Sequence, residues 1–591
     1  MCGIAGMLGT TDLDINKMSD LIAHRGPDGS GLFVDETDSI SLAHRRLAII
    51  DPEQGKQPMI THDGRFVIIF NGEIYNYKTL KQELEKAGHV FYSNSDTEVI
   101  LLGYSEYDTE ILNKLQGMFA FAIWDTSKKE LFIARDRIGI KPLFYRLTYN
   151  GLAFASEMKA LLGGVRELNL GALANYLQLG FRTAPETLFS GVMELPPASW
   201  MRYKLGYEKL VLNKYWDKES FFANKLTIED NAHNLRDALN KASISHLISD
   251  VPLGFWLSGG LDSSIILSCV KNQIPPESRT AFTLAYGLDN DETPYAKHMA
   301  EEAGVNWHLF NQDLSQAKNI LEDLIWHLEE PLPNITAVTS FFLANKTNKY
   351  TKVVLIGEGS DELFAGYPTY IPFTGPWRFF PPTLKSWAME KSYLFPSKEE
   401  WISLSGALLK PTIKKVDFNT MPNNLDSALK FDISYELVQS QLARIDRLTM
   451  AHGIEARVPF LDHKVVEMAL QIPSGQKRRG NQTKIILREA FKKALPEKII
   501  NRPKYGKKGT QGITQYFFDN VIHGLIKNSL SITRINELGY FDAEQIHKLL
   551  KRPTPSYYQK AKKQKTIYFL VLFDLWHRIF IEKESKYGAI H

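Results

Sequence analysis

The hydrophobic pattern changes character once along the chain, across residues 207–225, where it weakens into an aromatic and polar stretch. A 591-residue chain exceeds what one hydrophobic core usually serves, so the break marks two folding units, 1–210 and 211–591. Before it, short β-rich runs recur at 65–70, 131–134 and 152–155, separated by Gly, Asn and Asp turns. Helical patterns near 77–87 and 96–107 intervene, which predicts stacked sheets with helices outside. After the break a helical pattern covers 227–248, followed by an apolar run at 253–257, the turn Ser258-Gly259-Gly260 and a helix from Ser263. Strand and helix then alternate at 280–285, 294–303 and 352–356, the signature of a parallel α/β sheet, and the last third is mostly helical.

Charge narrows the partners. A net charge of +3 on this length gives no reason to expect nucleic acid or a membrane surface. Lys560, Lys562, Lys563 and Lys565 read as a solvated helix or loop. The apolar stretch 568–581 is interrupted by Asp574, His577 and Arg578, so it reads as a buried or docking helix rather than a span. Two cysteines, Cys2 and Cys269, exclude a disulfide framework and a cysteine-based metal site. Cys269 reads as a small core residue on the helix after the Ser-Gly-Gly turn. No basic-then-apolar signal segment precedes Cys2, and a cytoplasmic location is expected.

Cys2 follows the initiator methionine. Removal of Met1 gives one residue a thiol and a free α-amine, and an amine with a pKa near ~8 accepts the thiol proton directly or through water. A chance cysteine beside Met1 is the alternative. The next signals are His24-Arg25-Gly26-Pro27-Asp28-Gly29, then His44-Arg45-Arg46-Leu47-Ala48-Ile49-Ile50-Asp51, then Phe70-Asn71-Gly72-Glu73-Ile74-Tyr75-Asn76. An Asn-Gly pair after an apolar run commonly makes a tight turn, yet it also offers an amide and a backbone N–H to an oxyanion. Ser95-Asp96-Thr97-Glu98 opens a helix with acids in its first turn.

Together with Gly117-Met118-Phe119-Ala120-Phe121-Ala122, Ala134-Arg135-Asp136-Arg137 and Ala155-Ser156-Glu157-Met158-Lys159, these segments resemble the glutaminase domain of class II glutamine amidotransferases. The resemblance covers about the first 200 residues and implies an α+β N-terminal-nucleophile sandwich of αββα layers. It further implies that Cys2 attacks the glutamine amide and that Asn71 and Gly72 hold the oxyanion. Arg46 would pair with the glutamine carboxylate, Glu73 and Asp96 would hold its α-amino group, and the Leu47 and Ile49 backbones would help position it.

In the second unit, Ser258-Gly259-Gly260-Leu261-Asp262-Ser263-Ser264 lies between a strand and a helix. Glycines there let the backbone close on phosphate oxygens, while hydroxyls and the helix N-terminus supply donors. No Gly-Lys-Ser/Thr follows, so it is not a Walker loop. The acidic loop Gly357-Glu358-Gly359-Ser360-Asp361-Glu362 follows the strand ending at Ile356, where parallel sheets bind ligands. Asp262 and Asp361 are candidates for Mg²⁺ bridging ATP phosphates, and Glu358 for positioning or proton transfer. A third cluster runs from Arg444 to Met450 and on through Glu455-Ala456-Arg457-Val458-Pro459-Phe460-Leu461-Asp462; taken alone, helix with internal ion pairs is the alternative for it.

With Thr483-Lys484 and Arg502-Pro503-Lys504, this unit resembles the ATP-pyrophosphatase-type synthetase domain of glutamine-hydrolysing asparagine synthetases, so the two resemblances span nearly the whole chain. They imply ATP contacts at Leu257, Ser258, Gly259, Gly260, Asp262, Ser263, Ser264, Ile356 and Gly357. They also imply an acyl-adenylate intermediate, a closed ammonia channel between the sites, and a homodimer. Aspartate is the implied acceptor; a sugar uronate is the alternative. Two departures bear on that choice. Arg444 stands where the family often has Lys, and residues 328–345 contain no Arg, although some members use one there to recognise aspartate. A catalytically silent relative would show damaged motifs, whereas Cys2, Asn71, Asp262 and Asp361 are all present.

Overall fold

In the first unit, β1 (Gly3–Thr10), β2 (Gly29–Asp35), β3 (Ile40–Arg46), β4 (Met59–Ile60), β5 (Phe66–Ile74), β6 (Gly117–Asp125), β7 (Glu130–Arg135), β8 (Phe144–Thr148), β9 (Asn150–Ala155), β10 (Val192–Glu194), β11 (Ser199–Tyr203) and β12 (Val211–Lys214) form two six-stranded sheets. Their orders are β10-β8-β9-β1-β3-β2 and β12-β11-β7-β6-β5-β4, and each pairing is antiparallel. The computed structural model describes residues 2–164, 166–205, 210–287, 292–392, 394–415, 422–502 and 513–584. Met1, residues 207–209 of the pattern break, and Pro503 and Lys504 lie outside the described residues.

β5 shows why the layers stack. Side chains alternate across a strand, so Val67 and Ile69 face the first sheet and join Ile4, Leu8 and Leu42 in one core. Phe66, Ile68 and Phe70 point the other way and pack on Val99, Ile100 and Tyr104 of the helix Asp96–Tyr107. Each such burial contributes roughly 1.5–3 kcal/mol relative to exposure. The helix Ile15–Leu21 packs on the outer side of the first sheet, giving Met18, with Ile22 just past its end, to the core that holds Ala43 and Ala153. The result is the expected helix–sheet–sheet–helix order. β12 begins at Val211, the first residue assigned to the second unit from sequence, and pairs with β11 of the first. All four of its residues are exposed, which is why no apolar pattern announces it.

The second unit carries β13 (Leu253–Trp256), β14 (Thr280–Ala285), β15 (Asn306–Asn311), β16 (Val353–Leu355) and β17 (Glu455–Arg457) in the parallel order β15-β14-β13-β16-β17. β13 and β16 are neighbours, so the loops at their C-terminal ends emerge side by side. β17 rules out the plain helical alternative for the Arg444–Asp462 cluster: the helix Ala443–Met450 stops, Gly453 takes φ +64°, and the chain enters the sheet.

The helix Tyr557–His577 is buried from Thr566 onward except at half-buried Leu575 and docks both units, with Trp576 packing on Phe189. Among the described residues, no helix is long and apolar enough to cross a membrane. Of the lysines at its start, Lys560 is exposed as expected, but the other three are not simply solvated. Lys562 pairs with Glu400, Lys563 donates to the Leu550 and Arg552 carbonyls, and Lys565 lies over the Phe395 ring, where burial lowers its pKa to about 8. These partners are distant in the sequence or on another segment, which a charge pattern does not reveal. Cys269 packs against the second unit's core, and burial pushes its thiol up to about 12.

Candidate active sites

The first site lies between the two sheets, at the end where β1 begins. The Cys2 backbone nitrogen donates to Asn71 Oδ1 at 3.0 Å, and Sγ sits 4.0 Å from the Leu47 carbonyl oxygen. Cys2 is buried, and burial raises the thiol pKa, so the nucleophile needs a base beside it. Asn71 and Gly72 do not form a turn: β5 runs on to Ile74. The Phe70 N–H donates to Gln57 Oε1 at 2.6 Å and the Ile74 N–H to Asp96 Oδ2 at 3.0 Å, on the edge of β5 away from β6. Strand alternation puts the Gly72 N–H on that same edge, between them. A Cβ on Gly72 would meet the Met118 carbonyl oxygen at 2.1 Å, so the close β5–β6 approach demands glycine.

Asn71 and Glu73 share one face of β5, about 7 Å apart along the strand. Among the described residues, Asn71 Nδ2 and Glu73 Oε1 are both buried without a hydrogen-bond partner. One orphan donor and one orphan acceptor beside a thiol suit a ligand carrying a developing oxyanion and, some five bonds or about 6 Å away, a cation. Burial pushes Asp96 up to about 6 and Glu73 well above the usual carboxylate range, as expected where two acids await a positive partner. Arg46 is held by the carbonyls of Ile50, Asp51 and Pro52 at 3.2, 2.6 and 2.7 Å. It makes no ion pair among the described residues, leaving its charge available to a carboxylate. Leu47 and Ile49 lie buried in the same wall.

The second site is a cavity of about 560 Å³ over the C-terminal ends of β13 and β16. Gly259 adopts φ +67°, which turns the chain from β13 into the helix Leu261–Val270. That helix starts two residues earlier than its sequence pattern predicts and puts Asp262 in its first turn. A Cβ on Gly357 would lie 2.9 Å from Asp262 Cβ and 3.0 Å from the Ser263 nitrogen, so the acidic loop presses directly on the Ser-Gly-Gly loop. Ser258, Asp262, Ser263, Ile356, Gly357 and Glu358 line the cavity together; Gly260 and buried Ser264 support it from the loop and helix.

Lys484, which in sequence stands out only as part of a motif, bridges Asp262 and Asp361 at 2.7 and 2.6 Å. Two carboxylates close enough to share one ammonium fit the hard-oxygen pair that Mg²⁺ takes when phosphates and water complete its shell. Among the described residues no group of three or more His, Cys, Asp or Glu side chains is arranged for a metal. Arg444 Nη2 contacts Glu358 Oε1 at 2.9 Å and Gln441 Oε1 at 3.0 Å, while Nη1 donates to Ser340 Oγ at 2.8 Å. Burial raises the Glu358 pKa, a shift suited to proton transfer.

Buried charges stitch the two sites together. Arg25 donates to the Cys2 carbonyl at 3.1 Å, to Glu157 at 2.9 Å and to Asp446 at 2.8 Å, and Lys141 reaches Asp446 at 3.3 Å. Asp446 is two residues from Arg444 on the helix Ala443–Met450. Arg457 of β17 reaches Glu73 at 3.0 Å. Gln441 does not stand out in the sequence, and Ser340 and Arg457, although they lie in segments that the sequence marks, give no sign there of their contacts with Arg444 and Glu73.

Residues 1–216 match a family model described as a glutamine amidotransferase domain, and residues 234–578 match one described as asparagine synthase. Glutamine-hydrolyzing asparagine synthetase 1 of Bacillus subtilis (strain 168) is 32% identical, covering 99% of this chain and 97% of that one. The chain belongs to the glutamine-hydrolysing asparagine synthetase family. A putative asparagine synthetase of Mycobacterium bovis is 31% identical with 98% of each chain covered, and amidase chry2 of Gibberella zeae is 29% identical over 90% of this chain and 89% of that one. The antiparallel double sheet is thus an N-terminal-nucleophile glutamine amidotransferase domain, and the parallel sheet an ATP-using synthetase domain. A chain of this family is a glutamine-dependent amidating ligase.

Proposed function

We propose that this enzyme makes asparagine from aspartate, glutamine and ATP. The observation that carries the glutamine half is the orphan pair on β5, Asn71 Nδ2 and Glu73 Oε1, beside the Cys2 thiol. With Met1 removed, the Cys2 amine takes the thiol proton and Sγ attacks the glutamine amide carbon. Asn71 Nδ2 and the Gly72 N–H hold the oxyanion, Arg46 the α-carboxylate, and Glu73 and Asp96 the α-ammonium. Ammonia leaves, and water releases glutamate from the thioester.

In the second site the Ser258–Gly260 turn and the start of the helix Leu261–Val270 receive the pyrophosphate end of ATP. Asp262 and Asp361 would hold Mg²⁺, whose charge offsets that of the phosphates. The aspartate side-chain carboxylate displaces pyrophosphate at the α-phosphorus, and ammonia then displaces AMP. Glu358 would take the proton that ammonia loses, a reading supported by the Arg444 contact that orients its carboxyl. The acceptor's α-carboxylate has a site without an arginine in residues 328–345: the first turn of the helix Thr336–Thr347, with Thr336, Thr339 and Ser340 lining the cavity. The same neutral lining supports a second reading, in which a sugar uronate is the acceptor and the mechanism is unchanged.

The Cys2→Ala variant tests the division of labour. It should form no amide from glutamine while keeping synthesis from added ammonia; loss of both activities contradicts the assignment.

A further inference from the structure

One residue touches both sites. Arg457 ends β17, and its carbonyl oxygen accepts the Ile356 N–H at 2.9 Å, immediately before Gly357 and Glu358. Its side chain leaves the synthetase sheet and crosses into the glutaminase unit. There Nη2 lies 3.0 Å from Glu73 Oε2. The guanidinium is fully buried and rigidly held, with Nη1 donating to the His246 and Ile248 carbonyls at 2.7 and 2.5 Å and Nε to Glu455 at 2.5 Å. A planar fork fixed on four acceptors cannot swing away from its carboxylate. With Oε2 engaged, the other oxygen of Glu73 is the orphan acceptor of the glutamine site.

We propose that Arg457 is a positioning residue for glutamine: by fixing one oxygen of Glu73 it presents the other to the substrate's α-ammonium, so the synthetase sheet sets the glutaminase's affinity. This rests on the reading of Glu73 as an ammonium-binding carboxylate. Two further consequences belong to the same geometry. Arg457 opposes, without overcoming, the desolvation that raises the pKa of buried Glu73. Displacement of the Ile356–Gly357 strand end reaches Glu73 through a single residue, so ligands of the synthetase site alter glutamine binding without a chain of intermediates.

The test is a double-mutant cycle on the full-length enzyme, reading glutamine KM and kcat for glutamate release, with ammonia-dependent amide synthesis as the measure of an intact synthetase unit. Glu73→Gln and Arg457→Gln should each raise glutamine KM about tenfold or more, with kcat changed less, and the double variant should be no more than about twofold worse than either. Arg457→Lys, which keeps the charge but not the fork, should fall between wild type and Arg457→Gln. Ammonia-dependent synthesis should persist in the Arg457 variants. If Glu73→Gln leaves KM at the wild-type value, the reading of Glu73 fails and the proposal with it. If Glu73→Gln raises KM but Arg457→Gln does not, or if the two effects multiply, Arg457 acts elsewhere and the proposal alone is overturned. Should Arg457→Gln lose ammonia-dependent synthesis through misfolding, Arg457→Lys decides: a raised KM at near-normal kcat supports the proposal, and a wild-type KM overturns it.

Discussion

Asp96→Asn should make the protein more stable and a worse glutaminase. Asp96 is 4% exposed, accepts the Ile74 N–H at 3.0 Å, and has its pKa pushed from 3.8 to about 6, chiefly by burial. A raised carboxyl pKa means the folded chain binds this proton more tightly than the unfolded chain. The associated stability is therefore fully present below about pH 4 and is lost as pH rises to about 6. A rise from 3.8 to about 6 corresponds to about 3 kcal/mol of lost stability above that range. Asparagine is neutral throughout and can still accept from Ile74. Thermal unfolding of the glutaminase unit should then show no difference between variant and wild type near pH 4. At pH 7.5 the variant should melt roughly 6–12 °C higher, given about 2–4 °C per kcal/mol for a unit of this size. Glutamine KM should rise about tenfold or more, since a charge-assisted contact to the α-ammonium is lost. A stability gap of equal size at both pH values would show that burial of the charge is not its source. An unchanged KM would remove Asp96 from the glutamine site.

Other consequences follow from the second site. Gly357→Ala forces a methyl against Asp262 and Ser263, so ATP-dependent pyrophosphate release should fall by about tenfold while glutamine hydrolysis persists; equal loss of both would indicate global misfolding. Lys484→Met leaves Asp262 and Asp361 without their shared cation, and the ATP-free protein should bind Mn²⁺ about tenfold more tightly by calorimetric titration; unchanged affinity would mean the two aspartates are not the cation site. Arg444→Lys keeps a charge beside Glu358 but cannot also hold Ser340 and Gln441, so acceptor KM should rise severalfold in the pyrophosphate assay, and a wild-type value would place the acceptor elsewhere.

Features written in local pattern are legible in the sequence alone. The strand Thr280–Ala285 and the helix Asp96–Tyr107 fall where periodicity puts them. Cys2 and Asn71, 69 residues apart in sequence, are in contact as the ordered motifs imply. Asn71-Gly72 is ambiguous in sequence because an Asn-Gly pair favours turns; what keeps it extended is pairing of β5 with β6 through Ile74, a tertiary effect. The Glu455–Arg457 strand is hidden for a related reason. Its charges look like helix-surface ion pairs, yet every residue of it is buried, and Arg457 finds Glu73 384 residues away. Lys484 likewise shows its role only when the loops after β13 and β16 come together. Partners this distant in sequence leave no local signature in a single chain.

Pyrophosphate release by the purified enzyme, with ATP, Mg²⁺ and glutamine, measured with and without aspartate, tests the central claim most directly. The account predicts release that depends on aspartate and is matched mole for mole by asparagine. Glutamate formation without aspartate-dependent pyrophosphate would contradict aspartate as the acceptor, and release restored by a uronic acid or its nucleotide-linked form would assign the cavity to a sugar.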